Sequence, residues 1–186
     1  MPETDDSLLE AERISAILSS HEVPVLVIGA VALAAHGYVR ATFDIDLGVN
    51  VAIRDLKILE MHLRSAGFVT ALHEPDGDDP LGGVIDVTSP SGLIQIVNFG
   101  DRFPAVIQDA LEGEKIQARP DLALRVIPLP QLVVLKLYAG GVKSLADIIE
   151  LLRRNPEADL QNIETLCRKY RLRGWNRVLA ELEQLG

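Results

Sequence analysis

The chain has 186 residues, 48% of them hydrophobic and 24% charged, which suits one globular domain or one domain with a small appendage. Its formal net charge of −9 disfavours non-specific binding to nucleic acid or to an anionic membrane surface. The single cysteine, Cys167, lies in an apolar-patterned stretch, so disulfides within the chain and cysteine-based zinc sites are excluded and a small buried hydrophobe is expected.

The segment "DDSLLEAERISAILSS" reads as a helix, with Asp5, Asp6 or Ser7 as its cap and Glu10 in the first turn. "VPVLVIG" is a short apolar strand ending at Gly29, and the Ala-rich "AVALAAHG" after it is a short helix closed by Gly37. A glycine at this switch lets the backbone approach a ligand, while the helix amino terminus offers free N–H groups to a phosphate. Next comes "RATFDIDLGVN". Side chains alternate along a strand, so Phe43, Ile45, Leu47 and Val49 share one face while Thr42, Asp44, Asp46 and Gly48 share the other. Two carboxylates side by side repel unless a cation stands between them. A solvated strand face is the plain reading, and a pair of Mg²⁺ ligands is the functional one.

Ile53–Ala66 has the stripe of an amphipathic helix through Leu56, Leu59 and Leu63, and "FVTAL" follows as a strand. "HEPDGDDPLGG" is a loop by composition, and "VIDVTSPSGLIQIVNFG" forms two apolar runs around a Ser-Pro-Ser-Gly turn, a hairpin. "PAVIQDALEG" is helical and "LALRVIPL" a strand. From Gln131 onward the pattern is helical, broken near Gly140–Gly141, Pro156 and Gly174. A mixed sheet followed by helices argues for an α+β (or α/β) fold with a helical C-terminal appendage. The division expected is a core over residues 1–128 and a helical region over 129–186 packed on it. No run approaches the ~20 apolar residues of a membrane span. The amino terminus lacks the basic-then-apolar order of a signal peptide, so a cytoplasmic location is expected.

Taken together, "GAVALAAHGYVRATFDIDLGV" resembles the signature of the nucleotidyltransferase superfamily: a Gly-Ser or Gly-Gly pair, a short helix, then Asp-x-Asp. The intervening "HGYVRAT" is most similar to AbiEii-like and related minimal nucleotidyltransferases, and "LPQLVVLKLYAGGVKSLADIIELL" is similar to a Lys-bearing helix of that group. The resemblance spans roughly residues 25–152 and implies a nucleotidyltransferase-like mixed sheet flanked by helices. It implies a nucleotide-phosphate turn at Gly29 and Ala30, and Mg²⁺ or Mn²⁺ ligands at Asp44 and Asp46. It further implies support from Arg40 and Thr42, and a phosphate or base contact from Lys136 with Asp147 nearby. The chain departs from the pattern at Ala30, which has no hydroxyl, and at Ser144, where an acidic residue often stands.

The superfamily has a third carboxylate that acts with the metals and helps activate the attacking hydroxyl. Asp86, the only acidic residue inside either run of the hairpin, is the preferred candidate, and would join Asp44 and Asp46 as catalytic and metal-binding residue. The family's register would instead put Gln95 or Ile96 in that place, leaving the set incomplete. The function implied is transfer of a nucleoside monophosphate from an NTP–Mg²⁺ complex to a hydroxyl of a protein, a tRNA or a small molecule. The rival is a non-catalytic relative that binds a cognate protein partner, such as one component of a toxin–antitoxin pair.

Two other features have plainer readings. His36, at a helix end beside Gly37, is expected to meet free carbonyls rather than a ligand. Arg168, Lys169, Arg171, Arg173 and Arg177 form a basic island that reads first as a solvated face, and second as a contact for RNA or an acidic partner.

Overall fold

The computed structural model describes residues 2–40, 44–76, 80–100 and 102–185. In chain order the elements are α1 (Pro2–Ser20), β1 (Leu26–Ile28), α2 (Gly29–Ala35), β2 (Asp44–Val49), α3 (Ile53–Ser65), β3 (Val69–His73), β4 (Val84–Ser89) and β5 (Gly92–Asn98). They continue as α4 (Pro104–Glu112), β6 (Ile116–Gln117), β7 (Arg125–Val126), α5 (Leu129–Ala139), α6 (Gly141–Arg154), α7 (Leu160–Lys169) and α8 (Trp175–Leu185). The seven strands of the described residues form one mixed sheet in the order β3-β4-β5-β2-β1-β7-β6. The β2–β5 and β1–β7 pairs are parallel and the others antiparallel. This is the α+β fold with a mixed sheet and flanking helices that the sequence implies.

The expected alternation holds in the sheet's middle. Ile45, Leu47, Ile85, Val87, Ile94 and Ile96 are all buried at 3% exposure or less, and face the helical layer of α1 and α3. α1 contributes Ala11, Ile14 and Leu18 to that layer, and α3 contributes Leu56, Leu59 and Leu63, the stripe read from the sequence. Residues on the opposite strand face, Asp44, Asp46, Asp86 and Gln95 among them, are only half-buried. One face thus makes the core and the other is left for polar side chains.

Several boundaries differ from the sequence reading. α1 begins at Pro2, ahead of the expected caps, which costs nothing because the first N–H groups of a helix have no partner within it. Ser7 is instead buried, its hydroxyl donating to the carbonyl of Ser91 in the β4–β5 turn. Only Leu26–Ile28 of "VPVLVIG" joins the ladder, since Pro24 has no N–H to donate. Only Arg125–Val126 of "LALRVIPL" does so, pairing with the unforeseen β6. The carboxy-terminal helices break at Gly140, around Pro156 and at Gly174, as expected. Gly140 has φ +69°, a left-handed conformation that favours glycine and lets α5 and α6 meet with one residue between them. His36 caps α2 and is buried, its Nε2 donating to the Ile127 carbonyl at 2.8 Å, so it ties α2 to the end of β7. No helix of the described residues is long and apolar enough to cross a membrane.

Candidate active site

β1, β2 and β5 lie side by side, and their register determines which polar groups meet. Asp46 stands opposite Ile28 on one side and Gln95 on the other, and Gln95 in turn stands opposite Asp86. Asp44 lies two residues along β2 on the same face as Asp46, as the alternation requires. The chain enters α2 through Gly29, at φ +65°. A Cβ added to Gly29 would lie 1.7 Å from Asp46 Oδ2, so the aspartate carboxylate occupies the space that a side chain would take. That close approach explains the glycine at the strand-to-helix switch. Ala30, next along, is buried at 4% exposure and presents only a methyl group.

Burial raises the pKa of Asp46 above the usual carboxylate range, and the negative charge of Asp44 raises it further. Three cations pull the other way: Lys136, Arg40 and Lys143, in that order. Two of them are fixed by one acid. Asp147 on α6 is 2% exposed, and accepts from Arg40 Nη1 at 3.1 and 3.0 Å and from Lys136 Nζ at 2.7 Å. The resemblance names Arg40 and Lys136 with Asp147 nearby, whereas their ion triad was not legible, because it joins positions 107 and 11 residues apart. Lys143, at the start of α6, belongs to the same positive surround.

The structure does not bring Asp86 to the aspartate pair. It is two strands from Asp46, about 9–10 Å at the usual strand spacing, with Gln95 between them. Its carboxylate accepts from Gln95 Nε2 at 2.8 Å and from His73 Nε2 at 3.0 Å. Among the described residues no three His, Cys, Asp or Glu side chains gather in a group able to hold a metal ion. The reason is register: the tight β4–β5 turn pairs Asp86 with Gln95, and the parallel β2–β5 ladder then puts Gln95, not Asp86, next to Asp46. Thr42, expected to support the site, lies outside the described residues.

The surround of Asp44 and Asp46 is thus a pair of oxygen-donor carboxylates, a close-packed backbone turn and a set of fixed cations. Hard divalent cations take such oxygen donors, and a cation between the carboxylates would relieve the repulsion that helps keep the Asp46 pKa high. The donor set fits Mg²⁺ or Mn²⁺ through two carboxylates and not through three.

No protein-family model matches the sequence, and no curated protein matches it. Solved structures do resemble the fold. The antibiotic-resistance factor ANT(2″)-Ia in solution superposes with a TM-score of 0.52 at 16% identity, over 99% of this chain and 100% of that one. The same factor in complex with adenylyl-2″-tobramycin gives 0.52 at 16% identity, over 90% of this chain and 97% of that one. An antigenic nucleotidyltransferase-like protein from Paracoccidioides brasiliensis gives 0.51 at 16% identity, over 85% of each chain. At such identities the likeness establishes the fold, which is nucleotidyltransferase-like.

Proposed function

We propose that this chain binds a nucleoside triphosphate with Mg²⁺ or Mn²⁺ at Asp44 and Asp46 and transfers its nucleoside monophosphate to an acceptor hydroxyl. The observation that carries this reading is the geometry of β2 against Gly29, with two carboxylates on one strand face and the Asp46 carboxylate packed on a glycine backbone. A bound divalent ion supplies neutralisation and alignment of phosphate oxygens, chemistry that asks little covalent work of the protein. Asp44 and Asp46 would hold it. Lys136 and Arg40, anchored by Asp147, set a positive field beside the pair that favours the triphosphate. Gly29 and Ala30 let the backbone come close to the nucleotide, and Thr42 adds a hydroxyl.

In this reading residues 1–128 form the nucleotide-binding core and 129–186 a helical region packed on it. The acceptor is a protein side chain, a tRNA end or a small molecule. The complex of ANT(2″)-Ia with adenylyl-2″-tobramycin is an example of the last class on a similar fold. The AbiEii-like motifs support membership of that minimal group.

A second reading has its own observation. Gln95, which is not anionic, holds the place next to Asp46, while Asp86 is engaged by Gln95 and His73. This favours a relative that keeps nucleotide and metal but binds a cognate protein, as a toxin–antitoxin component would. Calorimetry with ATP, GTP, CTP and UTP, each with and without metal, tests the site. Binding of at least one that is lost in Asp44→Ala is expected, and no binding at all removes both readings. Radiolabelled NTPs incubated with the protein, cell lysate and bulk tRNA then separate them. Label on a macromolecule supports transfer. Absence of label with intact nucleotide binding supports the partner module, and label that appears only in Gln95→Asp marks a site that lacks its third acid.

A further inference from the structure

The two outer edges of the sheet differ. β6 closes one with two residues, Ile116–Gln117, too short a run to template another strand. β3 forms the other with five, and pairs with β4 in unbroken register from Val69↔Thr88 to His73↔Val84. Its sequence, VTALH, contains no proline, lysine or bulge, the devices that usually blunt such an edge. We propose that β3 is an interface with a second copy of this chain, the two β3 strands pairing antiparallel about a two-fold axis at Ala71.

The backbone is the first ground. The His73 carbonyl faces β4, since a Cβ added to Gly83 would lie 3.1 Å from it. Backbone groups change sides at each residue of a strand, so those of Val69 and Ala71 also face β4, and those of Thr70 and Leu72 face outward. The contact of Arg64 agrees: its Nη2 donates to the Thr70 carbonyl from the outer side at 3.1 Å. That oxygen keeps a second lone pair, and the Thr70 N–H and both groups of Leu72 stand beside it on the same edge. A two-fold axis at Ala71 sets Thr70 of each copy against Leu72 of the other, a hydrogen-bonded pair on either side of the axis.

The side chains are the second ground. Val69 is 69% exposed on the open sheet face of this edge, and Met61 and Ile58, one turn apart on α3, are 65% and 49% exposed on its other side. Charge then selects the occupant. Lys57 pairs with Glu74 at 2.8 Å at one end of β3, and Arg64 with Glu60 at 2.7 Å beside Thr70 toward the other. Each end thus carries one acid and one cation, a neutral strip on a chain of net charge −9. Antiparallel pairing sets the end with Arg64 and Glu60 against the end with Lys57 and Glu74 of the other copy, so acids meet cations twice over. This self-match favours a second copy over an unrelated strand. β2 lies three strands in from β3, so the interface leaves Asp44 and Asp46 open in both copies.

Sedimentation equilibrium of the full chain from about 1 to about 100 µM is the test, and a mass rising toward twice the 20.3 kDa of one chain is expected. Val69→Lys/Met61→Lys changes two exposed side chains, and should raise the dissociation constant at least about tenfold with the circular dichroism spectrum unchanged. A disulfide reads the register. Ala71→Cys should give a covalent dimer on mild oxidation, because the two Cα atoms across the axis would lie about 4.5 Å apart, within disulfide reach. Val69→Cys should not, since its two copies would stand about 14 Å apart along the strands at ~3.4 Å per residue. The native Cys167 is buried and takes no part. A single-chain mass at every concentration overturns the proposal. So does a dimer that the double variant leaves intact, or a cross-link that forms as readily from Val69→Cys as from Ala71→Cys. Neither nucleotide nor metal enters the assay, so its outcome is independent of the Asp44/Asp46 reading.

Discussion

Asp147→Asn removes the acid that pairs with both Arg40 and Lys136, and the structure sets the size of the loss. The Asp147 side chain is 3% exposed, Lys136 16% and Arg40 27%, so two cations lose their counter-charge in a largely dry place. Removing one partner of a buried ion pair costs about 3–5 kcal/mol, because the remaining charge is left uncompensated. Arg40 can reach partly into water, which argues for the lower end, ~3 kcal/mol. For a chain of this size that lowers the melting temperature by about 6–12 °C. The assay is urea unfolding followed by circular dichroism, with Arg40→Met, Asp147→Asn and the double variant as a cycle. Contacting residues should couple by at least about 0.5 kcal/mol. A loss below about 1 kcal/mol in Asp147→Asn, or additive single effects, would falsify the triad as a structural unit.

The pKa of Asp46 is raised in the folded state, chiefly by burial and next by Asp44, so the native protein binds its proton more tightly than the unfolded chain does. Its contribution to stability is therefore present below the ordinary carboxylate range and is lost as pH rises through the raised value. In chelator, Asp44→Asn should flatten that fall and leave stability at neutral pH equal or higher; urea midpoints across the acidic range check this, and an unchanged slope refutes it. Gly29→Ala forces a left-handed conformation on a residue with a side chain, a cost of about 1–3 kcal/mol. It also displaces the Asp46 carboxylate, so calorimetry should show Mn²⁺–nucleotide affinity falling together with the melting temperature. Leu47 is fully buried on the opposite face of the same strand, and Leu47→Ala should cost about 2–5 kcal/mol by urea unfolding, with the residual nucleotide affinity of the folded fraction unchanged.

Local patterns carried the fold, and non-local pairings were what the sequence concealed. The face assignment of Asp44 against Ile45 and Leu47 follows from a period of two with one buried side, and the structure has it. The helix over α3 and the breaks at Gly140, Pro156 and Gly174 were visible for the same reason: periodicity and backbone chemistry act over a few residues. β6 has two residues, too few for any period to show, while β7 lies inside the run read as a strand but is only two residues of it. The position of Asp86 needed a register, which two neighbouring ladders decide together and which no single strand encodes. His36 was read correctly as a carbonyl-seeking helix end, although its partner, Ile127, is 91 residues away.

Asn98, at the end of β5, is fully buried and uses all four of its amide hydrogen-bonding positions. Its Oδ1 accepts from the N–H groups of Val51 and Gly100, each at 3.0 Å, and its Nδ2 donates to the carbonyls of Val51 and Gly82, at 2.9 and 3.0 Å. Gly100 approaches so closely that an added Cβ would lie 1.8 Å from the Val51 carbonyl oxygen. One side chain thus fastens three segments, the β2–α3 link, the approach to β4 and the exit from β5, and adds to the backbone bonds that Asn98 makes with Gly82 and Gly83 and that Phe99 makes with Val49. Loops of this kind usually open independently and exchange their amide protons fast. Here the amides of Val51 and Gly100 share a single acceptor, so they should exchange with deuterium at a common, slow rate, as one cooperative unit at the end of the strand that carries Asp44 and Asp46.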